Sequence, residues 1–283
     1  MDASLKWNGH RLDLARRTHV MGVLNVTPDS FSDGGHYFET ARAIEHGIEM
    51  VQDGADIIDI GGESTRPYSE SLSAVEEIDR VVPVIEALGK EVAGPISIDT
   101  CKARVAREAL KAGASMINDI SALRFDLEMG VTAAQAGVPV ILMHMKGTPR
   151  NMQQNPVYGD LILEITSFLR EALARCEAAG IRRDLTMVDP GIGFGKTFDH
   201  NLQIIRELHR FQCLDRPILF GPSNKAFIGR ILQKEPHERT TGTMAAIAAG
   251  IMNGAHIVRV HHVRKAVETA RMIDAIKRGT VGE

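Results

Sequence analysis

GPISIDTCKARVAREALKAGASMINDI, residues 94–120, contains one complete strand–helix–strand unit. Its flanking runs, GPISIDT and ASMINDI, are short and continuously apolar. Between them, apolar residues recur at helical spacing over 102–112, and Gly113 supplies a stop. Continuous rather than alternating apolarity marks a strand buried on both faces, as in a parallel sheet covered by helices. The same unit recurs outward in both directions. VMGVLN, ADIIDIG, VPVILMH, LTMVDPG, RPILFGPSNK and AHIVRVHH are six more such runs, ending around Asn25, Asp59, His144, Asp189, Lys225 and Arg259. With Asp99 and Asn118 on the first two runs, eight units predict an α/β fold, a (β/α)8 TIM barrel whose chemistry sits at the carboxyl ends of its strands.

Residues 5–14 read as a short N-terminal β-hairpin turning at Asn8-Gly9, placed to plug the amino-terminal mouth of the barrel. Helices are expected over about 39–53, then over 73–88 with a Ser73/Glu76 capping box and Gly89 as its stop. Further helices are expected over 102–112, 127–136, 161–179, 201–210, 240–253 and 264–277. Two strand-to-helix connections, TPDSFSDGGHYF (27–38) and GGESTRPYSESLS (61–73), are longer than a barrel needs, and at least one is expected to close over a substrate.

At 283 residues, with 44% hydrophobic and 24% charged residues and no linker-like tract, residues 1–283 read as a single domain. A net charge of −3 with scattered Lys and Arg excludes the basic footprint of a nucleic-acid binder. Cys101, Cys176 and Cys213 lack CxxC spacing, which favours a reducing compartment over a disulfide framework. The first twenty residues lack a signal-type apolar segment, and no run approaches the roughly 20 residues of a membrane span. The expected location is cytoplasmic.

Asp99, Asn118 and Asp189 end three different strands and can face one cavity. Helix capping accounts for any one of them. Two carboxylates and an amide converging in an apolar wall suit a flat ring with adjacent N–H donors, such as a 2-amino-4-oxo heterocycle. Lys225 follows the seventh strand, and Arg259 and His261 lie two apart on the eighth, where barrels often bind phosphate. Asn25 offers a neutral oxygen nearby, suited to Mg2+ shared with a diphosphate. GIGFGKT (191–197) is not a P-loop, because only three residues separate Gly191 and Gly195 and Pro190 stands where the first glycine is needed. His144, His261 and His262 lack zinc-site spacing, and His144 is expected to pack or hydrogen-bond at the rim.

From about Met21 to Gly279 the chain resembles the dihydropteroate synthase family. The resemblance rests, in order, on MGVLNVTPDSFSDGG, GADIIDIGGESTRP, ISIDT, INDIS, MHMKGTPRNMQ, DPGIGFGKT, GPSNK and RVHHV. It implies a pterin-binding transferase of folate biosynthesis, a sulfonamide target that joins 6-hydroxymethyl-7,8-dihydropterin diphosphate to 4-aminobenzoate. By the matched motifs, Asp99, Asn118, Asp189 and Lys225 would hold the pterin, with Met143 and Phe194 against its ring. Asn25 would bind Mg2+ and diphosphate, and Thr65, Arg259 and His261 the diphosphate. Asp29, Phe31, Asp33, Arg66, Pro67 and Ser223 would form the aminobenzoate pocket. Asn25, Lys225, Arg259 and His261 would carry the catalysis, and the family implies a homodimer.

Three positions depart from the family pattern. Asn224 stands where Arg is usual, His262 where Asp is usual, and Tyr68 where Gly is usual. Two other readings share the motifs: the pterin-binding barrel of a corrinoid-dependent methyltransferase, and a non-catalytic pterin-binding homologue. SFSDGG and STRP argue against the first, since that chemistry needs neither an aminobenzoate pocket nor a diphosphate site.

Overall fold

Eight parallel strands lie in the order β8-β7-β6-β5-β4-β3-β10-β9, so each strand after the hairpin pairs with its sequence neighbours and the last two return beside the first. In this computed structural model, which describes residues 4–27, 35–63 and 72–281, they are β3 (His19–Asn25), β4 (Ile57–Gly61), β5 (Ile96–Asp99), β6 (Met116–Asp119), β7 (Val140–Met143), β8 (Thr186–Asp189), β9 (Leu219–Phe220) and β10 (Ile257–Val260). A parallel bridge between Val188 and Ile218 joins β8 to the segment entering β9. The Val188 amide donates to the Pro217 carbonyl at 3.0 Å, which brings the sheet round into a barrel. β9 is the shortest stave because Pro217 and Pro222 flank it and neither has an amide to donate.

Nine helices alternate with the strands among the described residues: α1 (Gly35–Gln52), α2 (Ala74–Glu91), α3 (Ala103–Ala112), α4 (Glu128–Ala136), α5 (Leu161–Ala178), α6 (Phe198–Arg206), α7 (Ala226–Leu232), α8 (Thr240–Met252) and α9 (Val263–Arg278). The capping box at Ser73 and Glu76 is formed in both directions. Gly113, Gly137 and Gly279 end their helices in the left-handed conformation, as their positions predict. Gly89 does not. α2 runs on through it to Glu91, where the Val92 amide closes on the Leu88 carbonyl, because a glycine stops a helix only by turning left-handed. The helix expected over 201–210 ends at Arg206 and tightens into a 3-10 stretch that buries Leu208, Phe211 and Leu214. α7 has no counterpart in the sequence reading, since its seven residues are too short for a periodic signal.

The hairpin pairs Ser4–Trp7 (β1) with His10–Asp13 (β2) through a turn in which Asn8 and Gly9 both take positive φ. Leu5, Trp7, Leu12 and Leu14 are buried in the main core. The Trp7 indole N–H donates to the Ser115 carbonyl at 2.7 Å, and the Asn8 amide to the Ala136 carbonyl. Both acceptors lie just ahead of β6 and β7, so the hairpin covers the amino-terminal mouth and leaves the other end for chemistry.

Candidate active site

Register explains the convergence. Asn25 pairs with Gly61, Gly61 with Asp99 and Asp99 with Asn118, one row across β3, β4, β5 and β6. Residues opposite one another in a sheet share a face, so the side chains of this row share one wall. Asp59, two residues before Gly61, points the same way one layer deeper and is fully buried. Gly61 leaves the space beside Asp99 open.

Arg259 reaches across the cavity from β10. Its Nε–H donates to Asp59 Oδ2 at 2.6 Å and its Nη2–H to Asp99 Oδ2 at 2.7 Å. The Asn118 amide donates to the same Asp59 oxygen at 3.0 Å. Asp59 is therefore the hub of the cluster, and its other oxygen has no hydrogen-bond partner among the described residues. The sequence reading missed that role, although parity with Gly61 on the strand was the available signal. The capping explanation fails for Asn118, whose neighbour Asp119 accepts the Ser121 and Leu123 amides instead.

Burial raises the Asp99 carboxyl to about 7 against the opposing pull of Arg259. Asp189 on β8 is raised to about 6 by burial; it accepts the Gly191 amide at 2.7 Å, and Lys196, Lys225 and Arg259 also pull it down. Burial lowers Lys225 to about 8, with Arg259 adding to the fall and Asp189 and Asp99 opposing it. Its ammonium lies 4.2 Å from the Phe194 ring centroid, a cation–π contact. Phe194, Met143, Met145, Met152 and Ile120 form a small apolar cluster of their own, with Cys101 against it.

His261 falls just beyond β10, which ends at Val260, in an exposed bend rather than on the strand. It still meets the site. The Ser223 hydroxyl and His261 Nδ1 are 2.9 Å apart, and the His261 amide donates to Ser223 Oγ at 3.3 Å. The Ser223 hydroxyl thus donates to the ring and accepts from the backbone amide at once. Asn25 is exposed at the end of β3. Thr65, Arg66, Pro67, Asp29, Phe31 and Asp33 lie outside the described residues, as does Tyr68.

The GIGFGKT stretch folds unlike a phosphate loop. Gly191 and Gly195 take positive φ, and a Cβ at either position would collide with the backbone of His144 or Lys146. Lys196 is turned inward and buried. His144, also buried, holds Lys196 through Nδ1 at 2.9 Å and packs edge-on to Phe168. Asn224 takes a left-handed φ of 56°, which asparagine tolerates well, and its carbonyl accepts from Arg239 at 3.0 Å. A guanidinium thus reaches this turn from Arg239, at the start of α8. His262 sits at the N-cap of α9 without a side-chain cap bond.

The model of the family described as "Pterin binding enzyme" matches residues 21–261. The dihydropteroate synthase of Synechocystis sp. is 48% identical over 267 residues, covering 94% of this chain and 92% of its own. That of Escherichia coli K12 is 46% identical over 269 residues, covering 94% of each. A Clostridium difficile dihydropteroate synthase crystallised in the presence of pteroic acid superposes with a TM-score of 0.90 at 44% identity, over 94% of this chain and 99% of its own. The Xanthomonas albilineans dihydropteroate synthase with 4-aminobenzoic acid gives 0.92 at 41%, over 98% and 99%.

Proposed function

The chain belongs to the pterin-binding enzyme family, among its dihydropteroate synthases, and from that premise we propose how its residues divide the reaction between them. The enzyme is a transferase that joins 6-hydroxymethyl-7,8-dihydropterin diphosphate to 4-aminobenzoate, yielding 7,8-dihydropteroate and diphosphate. Relatives that match this closely over nearly their whole length set aside the corrinoid-dependent methyltransferase.

Asp99, Asn118 and Asp189 accept and donate along the edge of the pterin, and Met143 and Phe194 pack on its face. The observation that carries this assignment is the Asp59–Arg259–Asp99 cluster with Asn118 on the same acid, polar groups gathered at the carboxyl ends of the strands. Arg259 spends one N–H on each carboxylate and keeps three more for the leaving diphosphate. Lys225 and His261 face the same charge. An aryl amine is unprotonated at neutral pH and needs no general base. The chain's task is to stabilise the departing diphosphate with preorganised cations and the developing cation on the pterin methylene with nearby carboxylates.

The donor set fits Mg2+ only as a shared ion. No group of three or more His, Cys, Asp or Glu among the described residues could hold a metal alone. Asn25 would contribute one amide oxygen, with substrate phosphates and water completing the shell, and the ion would supply charge neutralisation at the diphosphate. Thr65, Asp29, Phe31, Asp33, Arg66 and Pro67, with Ser223, belong to the loops that receive the diphosphate and 4-aminobenzoate. A homodimer through α7, α8 and α9 accounts for exposed Ile231, Leu232, Met252, Met272 and Ile276. No helix is long and apolar enough to cross a membrane among the described residues.

Diphosphate release with Mg2+ and dihydropterin diphosphate, with 4-aminobenzoate present or withheld, tests the assignment. Matched dihydropteroate formation, lost in Arg259→Ala and Lys225→Ala, is the expected result. Pterin binding without product would instead mark a non-catalytic homologue.

A further inference from the structure

Lys196 is 2% exposed, yet no carboxylate lies within ion-pair distance of it among the described residues. Its ammonium instead finds the His144 Nδ1 at 2.9 Å, the Phe194 carbonyl at 3.0 Å and the His144 carbonyl at 3.3 Å. Three acceptors match the three N–H donors of a charged lysine, and the His144 ring then carries its proton on Nε2. Burial pushes both Lys196 and His144 well below their usual pKa, and at Lys196 the field of Asp189 and the hydrogen bonds to its nitrogen work for the ammonium form. Burying an ammonium is costly unless hydrogen bonds and a counter-charge offset it.

The surroundings indicate the use. His144 directly follows β7 beyond Met143, and Phe194 belongs to the loop that follows Asp189 on β8. These are the two segments that present the apolar floor of the pocket. The rest of the 191–197 loop is tied as well. The Gly193 amide donates to Asn201, the Gly193 carbonyl accepts from Gln153, and the Gly195 carbonyl accepts from the Tyr158 hydroxyl. Lys196 adds a buried tie between the same two segments. The charged groups acting on Asp189 are Lys196, Lys225 and Arg259, and those acting on Lys196 are Asp189 and Lys225. On its far side His144 feels Arg124 and Lys146.

We propose that Lys196 is a positioning residue of the pterin site, locking the loops after β7 and β8 into one floor and setting its charge toward the Asp189 carboxylate at the edge of the ring. The proposal rests on the assignment of Asp189 as a pterin ligand. Lys196 itself touches no substrate; it acts through Asp189, Phe194 and His144.

Binding of 6-hydroxymethylpterin, followed calorimetrically from pH 5 to pH 9, separates the possibilities without depending on turnover. Lys196→Gln keeps N–H donors but not the charge, and Lys196→Met removes both. Both variants are expected to weaken pterin binding about tenfold at pH 7 and to move the acid limb of binding upward by roughly one pH unit. In an Asp189→Asn background the further change Lys196→Gln should move no limb, because the group it acts on is gone. A Lys196→Gln protein with the wild-type acid limb would overturn the electrostatic role. Wild-type affinity in both variants would overturn the proposal altogether. If Asp189→Asn alone binds as wild type, the assignment of Asp189 fails first, and this inference with it. Thermal unfolding of each variant identifies any that do not fold, and Lys196→Gln, the milder change, then carries the test.

Discussion

At the scale of single residues, the site holds acids and bases whose charge is fragile. Asp189 and Asp99 ionise near 6 and 7 because burial opposes their charge, and Lys225 releases its proton near 8 for the same reason. The pterin needs ionised carboxylates and its diphosphate needs a cation. The pH profile of kcat/KM is therefore expected to be bell-shaped, rising through about 6 to 7 and falling above about 8. Lys225→Arg, which keeps a cation that does not deprotonate in this range, should remove the alkaline limb and leave the acid one. The same carboxylates act against stability. Asp99 ionises near 7 in the folded chain against an ordinary value of 3.8, so the folded state holds the extra proton. Stability is then lost as pH rises from about 4 through 7. Asp99→Asn should gain up to about 2 kcal/mol on the wild type between pH 5 and pH 8 while losing pterin binding, as denaturant titrations at the two pH values can establish. Asp99, Asn118 and Asp189 were readable as strand-end residues. Asp59 was readable as the end of its run but not as the hub, because one strand's pattern does not show which acid a guanidinium from another strand reaches, and Lys196 was hidden by a motif that imitates another one.

At the scale of elements, the loops after β7 and β8 touch backbone to backbone. The glycines at 191 and 195 exist for that approach. Gly191→Ala, at a φ of 72° with the His144 carbonyl in the path of its Cβ, should cost about 3 kcal/mol or more and disrupt the pocket floor. Gly137→Ala, at a helix end with a φ of 64° and nothing within 4 Å, should cost only about 1–2 kcal/mol and leave KM unchanged. Thermal melts with steady-state kinetics on both variants check the contrast. The strands were legible because each is a short apolar run, and most helices because they carry period and a stop. α7 was too brief to show a period, and Gly89 was a stop signal that the backbone did not take up.

At the scale of the whole molecule, apolar side chains left in water on α7, α8 and α9 sit on consecutive helices of the barrel wall. If they meet their counterparts in a second copy, the double substitution Met272→Glu/Ile276→Glu should yield a folded monomer, read by sedimentation equilibrium, with an unchanged melting profile at low concentration. An unchanged dimer would exclude this face. The fold itself follows from repetition: one unit, decoded once at residues 94–120, decodes the others, whereas the two long connections carry no period to decode. The hairpin at the opposite mouth has a practical consequence. Trp7, the one tryptophan in the chain, is buried there and bonded to the Ser115 carbonyl. Intrinsic emission excited at the indole band is thus a built-in optical reporter of whether the plug is seated. It is remote from the end where pterin absorbs, so folding and ligand capture can be followed on separate channels in one cuvette.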